Sequence, residues 1–139
     1  MLKKILIAND GSEGAFKALV AALRLAHAHK AQLHMICVEE TQWVPGSREE
    51  VIGEKELADR KFAEVVANAE AEAKRHRVKL VSHILIGHAV PAIVDFIEGD
   101  GFDLLVTGFM GHSAIYNRVI GSTTDRLVEL APCAVLVVK

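Results

Sequence analysis

Three glycines and two hydroxyl side chains gather in one stretch of the chain, at Gly108, Gly111, Gly121, Ser122 and Thr123. Glycine lets backbone approach a ligand closely, and hydroxyls at the head of a helix lie beside its orphan N–H groups and positive dipole end. That combination can hold a phosphate. The same residues admit a reading without a ligand, because Ser122-x-x-Asp125 has the form of a capping box with Asp in place of Glu, and isolated glycines mark turns. Two established phosphate loops are excluded: no GxxxxGK(S/T) occurs, and no GxGxxG follows a strand-like run. On residues alone both readings stay open.

Other reactive residues give less. Asp10 sits in Asn9-Asp10-Gly11-Ser12 directly after an apolar run, where it can face a ligand or simply make an Asp-Gly turn. His27 and His29 are two apart and fall on different helix faces, while His34, His76, His83 and His88 show no ligand pairing, so no metal site is expected. Cys37 and Cys133 lie in apolar runs without CxxC or Cys/His spacing, which indicates neither zinc nor a disulfide framework and suits a reducing, cytoplasmic home. Trp43 can cover a ligand or bury itself in a partner, and the sequence does not choose. The glycine-rich stretch has no lysine; Arg118 lies within it, Arg126 follows, and His112 is a base or merely a loop residue. No catalytic residue is assigned, since grip without machinery for developing charge suggests a binder.

The elements that must position these residues follow from apolar spacing. Strand-length runs recur at Lys4 to Ala8, Gln32 to Val38, Val78 to Ile86, Asp103 to Thr107 and Ala134 to Val138. Between them, Phe16, Leu19, Val20, Leu23 and Ala26 make a helical stripe with Ser12 as its N-cap. A long surface helix is expected over Glu54 to Arg77, with Leu57, Lys61, Val65, Ala69, Ala73 and the stem of Arg77 along its face. A short helix spans about Pro91 to Glu98 with Gly99 just past its end, and a last one runs from Ser122 to Leu130, stopped by Pro132. Strands alternating with helices predict an α/β fold: a single open five-stranded parallel sheet with helices on both faces. Ligands in such a sheet bind beyond the carboxyl ends of the strands, where Asp10, Val38 and Gly108 fall. Glu39 to Gly53, with Trp43, Pro45 and Gly46, is the one long irregular stretch, a length at which loops tend to be functional or mobile.

Composition bounds the answer. At 139 residues and 51% hydrophobic, the chain has the size of one domain, 1–139, and a chain of this length buries roughly 68% of its unfolded surface without a staple. A net charge of -2 with basic residues scattered along the sequence gives no footprint of a nucleic-acid or anionic-membrane binder. The apolar part of MLKKILIAND is too short for a signal peptide or a membrane span.

The spacing Gly108-x2-Gly111-x9-Gly121-Ser122 matches the G-x2-G-x9-G-(S/T) nucleotide loop of the ATP-binding branch of the universal stress protein family. The chain resembles that family along its whole length: Ile5-Leu6-Ile7-Ala8-Asn9-Asp10-Gly11-Ser12 resembles its first strand and Asp-containing turn. Ala131-Pro132-Cys133-Ala134-Val135-Leu136-Val137-Val138 resembles its terminal strand. Two positions depart, Asn9 where a small apolar residue is usual and Thr123 where Val is common. The resemblance implies a Rossmann-like nucleotide-binding fold with sheet order 3-2-1-4-5 and adenosine over the ends of strands one, two and four. It places Ala8 and Asp10 at the adenosine, with the Asp10 carboxylate near ribose or the metal-phosphate region, and the backbone of Val38 at adenine. Gly108, Gly111, Gly121 and Ser122 would hold ribose and phosphates, with Thr107, Met110, His112 and Thr123 as neighbours.

The function expected is an ATP-binding or AMP-binding regulatory protein of the stress response, with Mg2+ entering with the nucleotide, acting through conformation or partner binding. Two alternatives are a slow Mg-dependent ATPase or phosphotransfer enzyme using Asp10, and a nucleotide-free dimeric scaffold. A homodimer is expected through Val135 to Val138, an apolar edge strand of the kind that invites pairing, as family members pair.

Overall fold

The computed structural model describes residues 1–40, 48–109 and 120–139, apart from the side chains of 48–52 and 54. Its elements are, in chain order, β1 (Lys4–Ala8), α1 (Glu13–His29), β2 (Gln32–Glu39), α2 (Arg48–Arg75), β3 (Leu80–Ile86), α3 (Ala89–Asp100), β4 (Leu104–Gly108), α4 (Ser122–Leu130) and β5 (Ala134–Val138). The strands pair in parallel in the order β3-β2-β1-β4-β5. The central strand β1 is a continuous apolar run because both faces are covered, and Ile5, Leu6 and Ile7 are fully buried. Successive side chains point to opposite faces. Ile5, Ile7, Leu33, Met35 and Val106 pack under α1 and α2, while Leu6, Ile36 and Leu105 pack under α3 and α4.

Several boundaries and faces differ from the sequence reading. Ser12 does cap α1, its Oγ accepting from Ala15 N at 3.1 Å. The buried stripe, however, is Ala15, Ala18, Leu19, Ala22, Leu23 and Ala26, and Phe16 stands 43% exposed. Small alanines let α1 lie close to the sheet, and a ring one position along the helix turns outward. Helix α2 begins at Arg48, so the stretch Glu39 to Gly53 is shortened at both ends, and Trp43, Pro45 and Gly46 lie outside the described residues. Its inward face is Ala58, Phe62, Ala69 and Ala73, with Val65 and Val66 half-buried; Leu57 is 61% exposed and Lys61 is also outside. The row starting at Ala58 wins because it brings a phenylalanine to the core where the row starting at Leu57 would bring a lysine.

Helix α3 starts two residues before the expected Pro91, which still sits in the first turn, and it ends on Gly101 in the left-handed region (φ 69°) rather than at Gly99. Strand β3 begins at Leu80 instead of Val78, because the chain leaves α2 through Arg77 in the left-handed region (φ 59°) and Val78 N–H returns to Ala73 O. Strands β2 and β4 extend one residue further than expected, to Glu39 and Gly108, and β4 starts one later. Among the described residues, no helix is long and apolar enough to cross a membrane.

One pairing was invisible in the sequence. His34 on β2 and His83 on β3, which the linear reading left unpaired, meet with Nδ1 and Nε2 2.9 Å apart and rings within 4° of parallel. Ile36 is the register partner of His83, so the two histidines are diagonal neighbours on one face. His34 meets Phe102 edge-on, and His83 leans on Phe96 of α3. Burial lowers both imidazole pKa values. His83 and Lys4 lower that of His34 further, Lys4 lowers that of His83, and Asp100 opposes the shift at both. Lys4 lies over the Phe102 ring and also reaches the Asp100 carbonyl and carboxylate.

A single N–H···N bond needs one donor and one acceptor, so two imidazoliums cannot share it. Because folding lowers these pKa values, the stability that the pair contributes is fully present above the unfolded value of about 6.5 and is lost as pH falls through the lower folded values. The midpoint of urea unfolding is therefore expected to fall between about pH 7.5 and about pH 5.5. His83→Gln, which keeps a hydrogen-bonding group but cannot titrate, should flatten that slope; an unchanged slope would remove the pair as its source.

Candidate functional site

A cleft of about 290 Å3 opens over the carboxyl ends of β1, β2 and β4, between the N-termini of α1, α3 and α4. Eight of the residues singled out in the sequence line it: Ala8, Asp10, Val38, Thr107, Gly108, Gly121, Ser122 and Thr123. Met110, Gly111 and His112 lie outside the described residues, as does Arg118. The lining also includes Asn9, Ser12, Ile36, Glu40, Ala89, Ile93 and Thr124, which the sequence reading had not assigned to the site. Ile36 and Ile93 give it an apolar wall, and alternation along β2 was the signal available for Ile36, two residues from Val38.

The first wall is built by the turn after β1. Asn9 is buried, its Oδ1 accepting from Gly11 N at 2.9 Å and its Nδ2 reaching Met35 Sδ at 3.4 Å. Asp10 Oδ1 accepts from Ser12 N at 2.9 Å, and Gly11 supplies the positive φ of 84° that the turn requires. Two consecutive side chains thus fold back on their own backbone and deliver the chain into α1. The departure at Asn9 has a physical reason here, since its amide ties the turn together. The Asp10 carboxylate also adds to burial in pushing the Cys37 thiol up to about 12, so that cysteine is an inert core residue. Cys133 is likewise raised, by burial.

The second wall is where β4 meets α4. A Cβ on Gly108 would lie 2.9 Å from Gly14 C and 3.0 Å from Gly14 O, so the close approach of α1 requires glycine there. Thr124, buried on α4, donates from Oγ1 to Gly108 O at 2.8 Å and fixes the helix to the strand end. Phe109 N donates to Val138 O and Gly121 N donates to Phe109 O, each at 2.9 Å, so residues 109 and 121 are held together. The N-cap of α4 is Gly121, with no side-chain cap bond, and Ser122 is already the first helical residue. The capping box expected as the ligand-free alternative is therefore not formed: Ser122 lies one position too late to be the cap. Gly121 has an ordinary φ of -63°, which any residue can adopt, so its backbone conformation does not explain the glycine.

Electrostatically the cleft is one-sided. Its described charged side chains are Asp10 and Glu40, and among the described residues lining it there is no lysine or arginine. Glu40 Oε1 accepts from Ala89 N at 3.0 Å, capping α3 from across the cleft where His88 offers no side-chain cap. Among the described residues, no carboxylate caps the first turn of α4 in this way, and it presents exposed Ser122 and Thr123. Among the described residues, no three His, Cys, Asp or Glu side chains come together in a way that could hold a metal ion.

Comparison with known proteins points one way. The sequence model of the universal stress protein family matches residues 1–139. A universal stress protein of Thermus aquaticus is 34% identical over 139 residues, covering 100% of each chain. Among solved structures, the universal stress protein UspA of Lactobacillus plantarum superposes with a TM-score of 0.83 at 26% identity, covering 99% of this chain and 98% of its own. A universal stress protein solved in complex with cAMP superposes with a TM-score of 0.77 at 23% identity, over 99% and 97% of the two chains, and at that identity the likeness is one of fold.

The junction of β4, α1 and α4 yields the mutational test of this geometry. Gly108→Ala places a methyl against α1 backbone and is expected to destabilise by about 1–3 kcal/mol, as overpacking does. Thr124→Val removes the donor from a buried carbonyl and should cost a similar amount, about 1–3 kcal/mol. Denaturant midpoints for both variants would check this, and a Gly108→Ala protein as stable as wild type would show that α1 can yield.

Proposed function

The chain belongs to the universal stress protein family, and from that membership we propose that it is a regulatory protein that binds an adenine nucleotide in the cleft over β1, β2 and β4. The observation that carries the proposal is the head of α4. Gly121 has a φ that any residue can adopt, it brings no side-chain cap of its own to the first helical turn, and it stands with Ser122 and Thr123 in the cleft. A phosphate there would meet unsatisfied N–H groups, two hydroxyls and the positive end of the helix dipole. The apolar Ile36, Val38 and Ile93 supply the side of the cleft suited to a base. A protein with this fold has been solved in complex with cAMP, in keeping with an adenine nucleotide as the ligand class.

We assign Ala8, Asp10 and Val38 to adenosine, and Thr107, Gly108, Gly121, Ser122 and Thr123 to ribose and phosphates, with Met110, Gly111 and His112 completing the G-x2-G-x9-G-S loop. ATP is the nucleotide proposed, with AMP as the lighter alternative. Asp10 and Glu40 would repel a triphosphate, so Mg2+ is proposed to enter with it, and a carboxylate such as Asp10 is the hard oxygen donor that such an ion accepts. Turnover is proposed to be slow, because no described cation lines the cleft to meet charge that develops in a transition state. The effect of the nucleotide is then a shift in conformation or partner affinity.

The proposed partner is a second copy of the chain, paired along β5. That strand is a sheet edge, its residues Val135, Leu136, Val137 and Val138 are all apolar, and Leu136 is 37% exposed. A two-fold pairing would cover it. Light scattering at micromolar concentration should give twice the mass of the chain, and a monomer mass would remove this partner.

Calorimetric titration tests the nucleotide reading. Wild type should bind Mg-ATP or AMP with micromolar affinity, while Gly121→Val, unstrained in backbone but carrying a branched side chain into the α4 head, should lose at least about tenfold. Ser122→Ala should lose less, below about tenfold, the value of one hydrogen bond of about 0.5–1.5 kcal/mol. Absence of binding by folded, nucleotide-free wild type would leave the dimeric scaffold as the better reading.

A further inference from the structure

We propose a second ligand site at the opposite end of the sheet: a cationic cleft, below the amino ends of β2 and β3, that binds a small oligophosphate, an anion carrying two or more linked phosphoryl groups. The cleft has a volume of about 720 Å3 and its charged rim is Lys30, Arg77 and Lys79, with His27 and His34 beside them. Among the described residues, no Asp or Glu lines it. Among the described residues, none of Lys30, Arg77 and Lys79 makes an ion pair. Arg77 and Lys79 are near neighbours in the sequence while Lys30 lies 47 positions before Arg77, and the parallel sheet brings them together by placing the turns after α1 and α2 side by side.

The backbone gives an independent reason to think the cations are kept for a ligand. Both turns are complete Schellman caps. Ala31 N donates to Ala26 O and Lys30 N to His27 O at the end of α1; Val78 N donates to Ala73 O and Arg77 N to Lys74 O at the end of α2. In this motif the left-handed residue is usually glycine. Here it is Lys30 (φ 53°) and Arg77 (φ 59°), the only two non-glycine residues with positive φ among those described. The same chain does place glycine in that role at the end of α3, Gly101 with φ 69°, and Gly101 does not line this cleft. Strained caps with long cationic side chains thus occur twice, and both face one cavity.

Complementing the helix dipole does not account for Arg77, because Lys74 and Arg75 in the last turn of α2 already supply positive charge from helical positions. Three permanent cations suit an anion of several charges, and a guanidinium adds fork-like recognition of phosphoryl oxygens. The buried Ala26 and Leu33 form the floor of the cleft, and a compact free anion is the ligand class proposed for its rim.

Inorganic tripolyphosphate is the probe. Calorimetry at low salt should detect its binding to wild type, weakening as salt is raised. The double variant Lys30→Gly with Arg77→Gly relieves two left-handed residues and should keep or raise Tm while weakening tripolyphosphate binding at least about tenfold. Lys79→Gln, in a strand-flanking position, should weaken it in the same direction without touching either cap. Gly121→Val removes whatever tripolyphosphate is held at the head of α4, so the binding that remains in this variant reads the lower cleft, and failure here and failure of the nucleotide reading are separable. Two results would overturn the site: no binding by wild type, or binding that survives the double glycine variant and is lost in Gly121→Val, which would place the anion at the head of α4.

Discussion

Much of the molecule hangs on how closely the end of β4 approaches the first turn of α1. The α carbon of Gly108 faces the backbone of Gly14 at a distance that excludes even a methyl group, and its carbonyl receives the hydroxyl of Thr124. One residue therefore sets three spacings at once: the seat of α1 on the sheet, the position of the α4 head, and the width of the cleft between them. Core packing holds interiors at near-crystalline density, so such a contact cannot relax without moving the elements around it. The glycine that a sequence reader assigns to a ligand is needed first by the fold.

That overlap explains what was legible in the sequence and what was not. Strands β1 and β5 and helix α4 were readable to the residue because hard boundaries enclose them: Asn9-Asp10-Gly11 after β1, Pro132 before β5, and Gly121 before α4. Helix α2 was not, since its spacing was read as a face running from Leu57 through Lys61, and only the sheet beneath decides that Phe62 goes in and Leu57 out. The pairing of His34 with His83 has no local signature, because diagonal neighbours on parallel strands are separated by a whole helix in the chain. The same holds for Glu40, whose role as the cap of α3 belongs to a residue 49 positions away.

For the candidate site, the first-strand turn and the residues around Gly108 and Gly121 were visible as motifs, whereas the walls were not. Ile36, Ile93 and Thr124 reach the cleft through strand alternation and helix phase, which become specific only once the sheet order is known. The choice between a capped helix and an open one also needed three dimensions. Ser122 has the right type for a cap, and the distinction from Gly121 is a single residue of helix phase.

A parallel sheet gives its two ends opposite character, and this chain exploits both. Helices that follow strands begin at the carboxyl ends, so the upper cleft collects helix N-termini, short hydroxyl and amide side chains, and the turn residues Asn9, Asp10 and Gly11. The same helices finish at the amino ends, where carbonyl groups and the negative dipole favour cations, and there the chain places Lys30, Arg77 and Lys79. At the upper end the backbone itself can offer donors to an anion, so side-chain charge is dispensable and two carboxylates are tolerated. At the lower end the backbone offers only acceptors, so any affinity for an anion must come from side chains long enough to project past the helix ends. Lys30 and Arg77, in left-handed caps, are long enough to do so, at the cost of a backbone conformation unfavourable to any side chain.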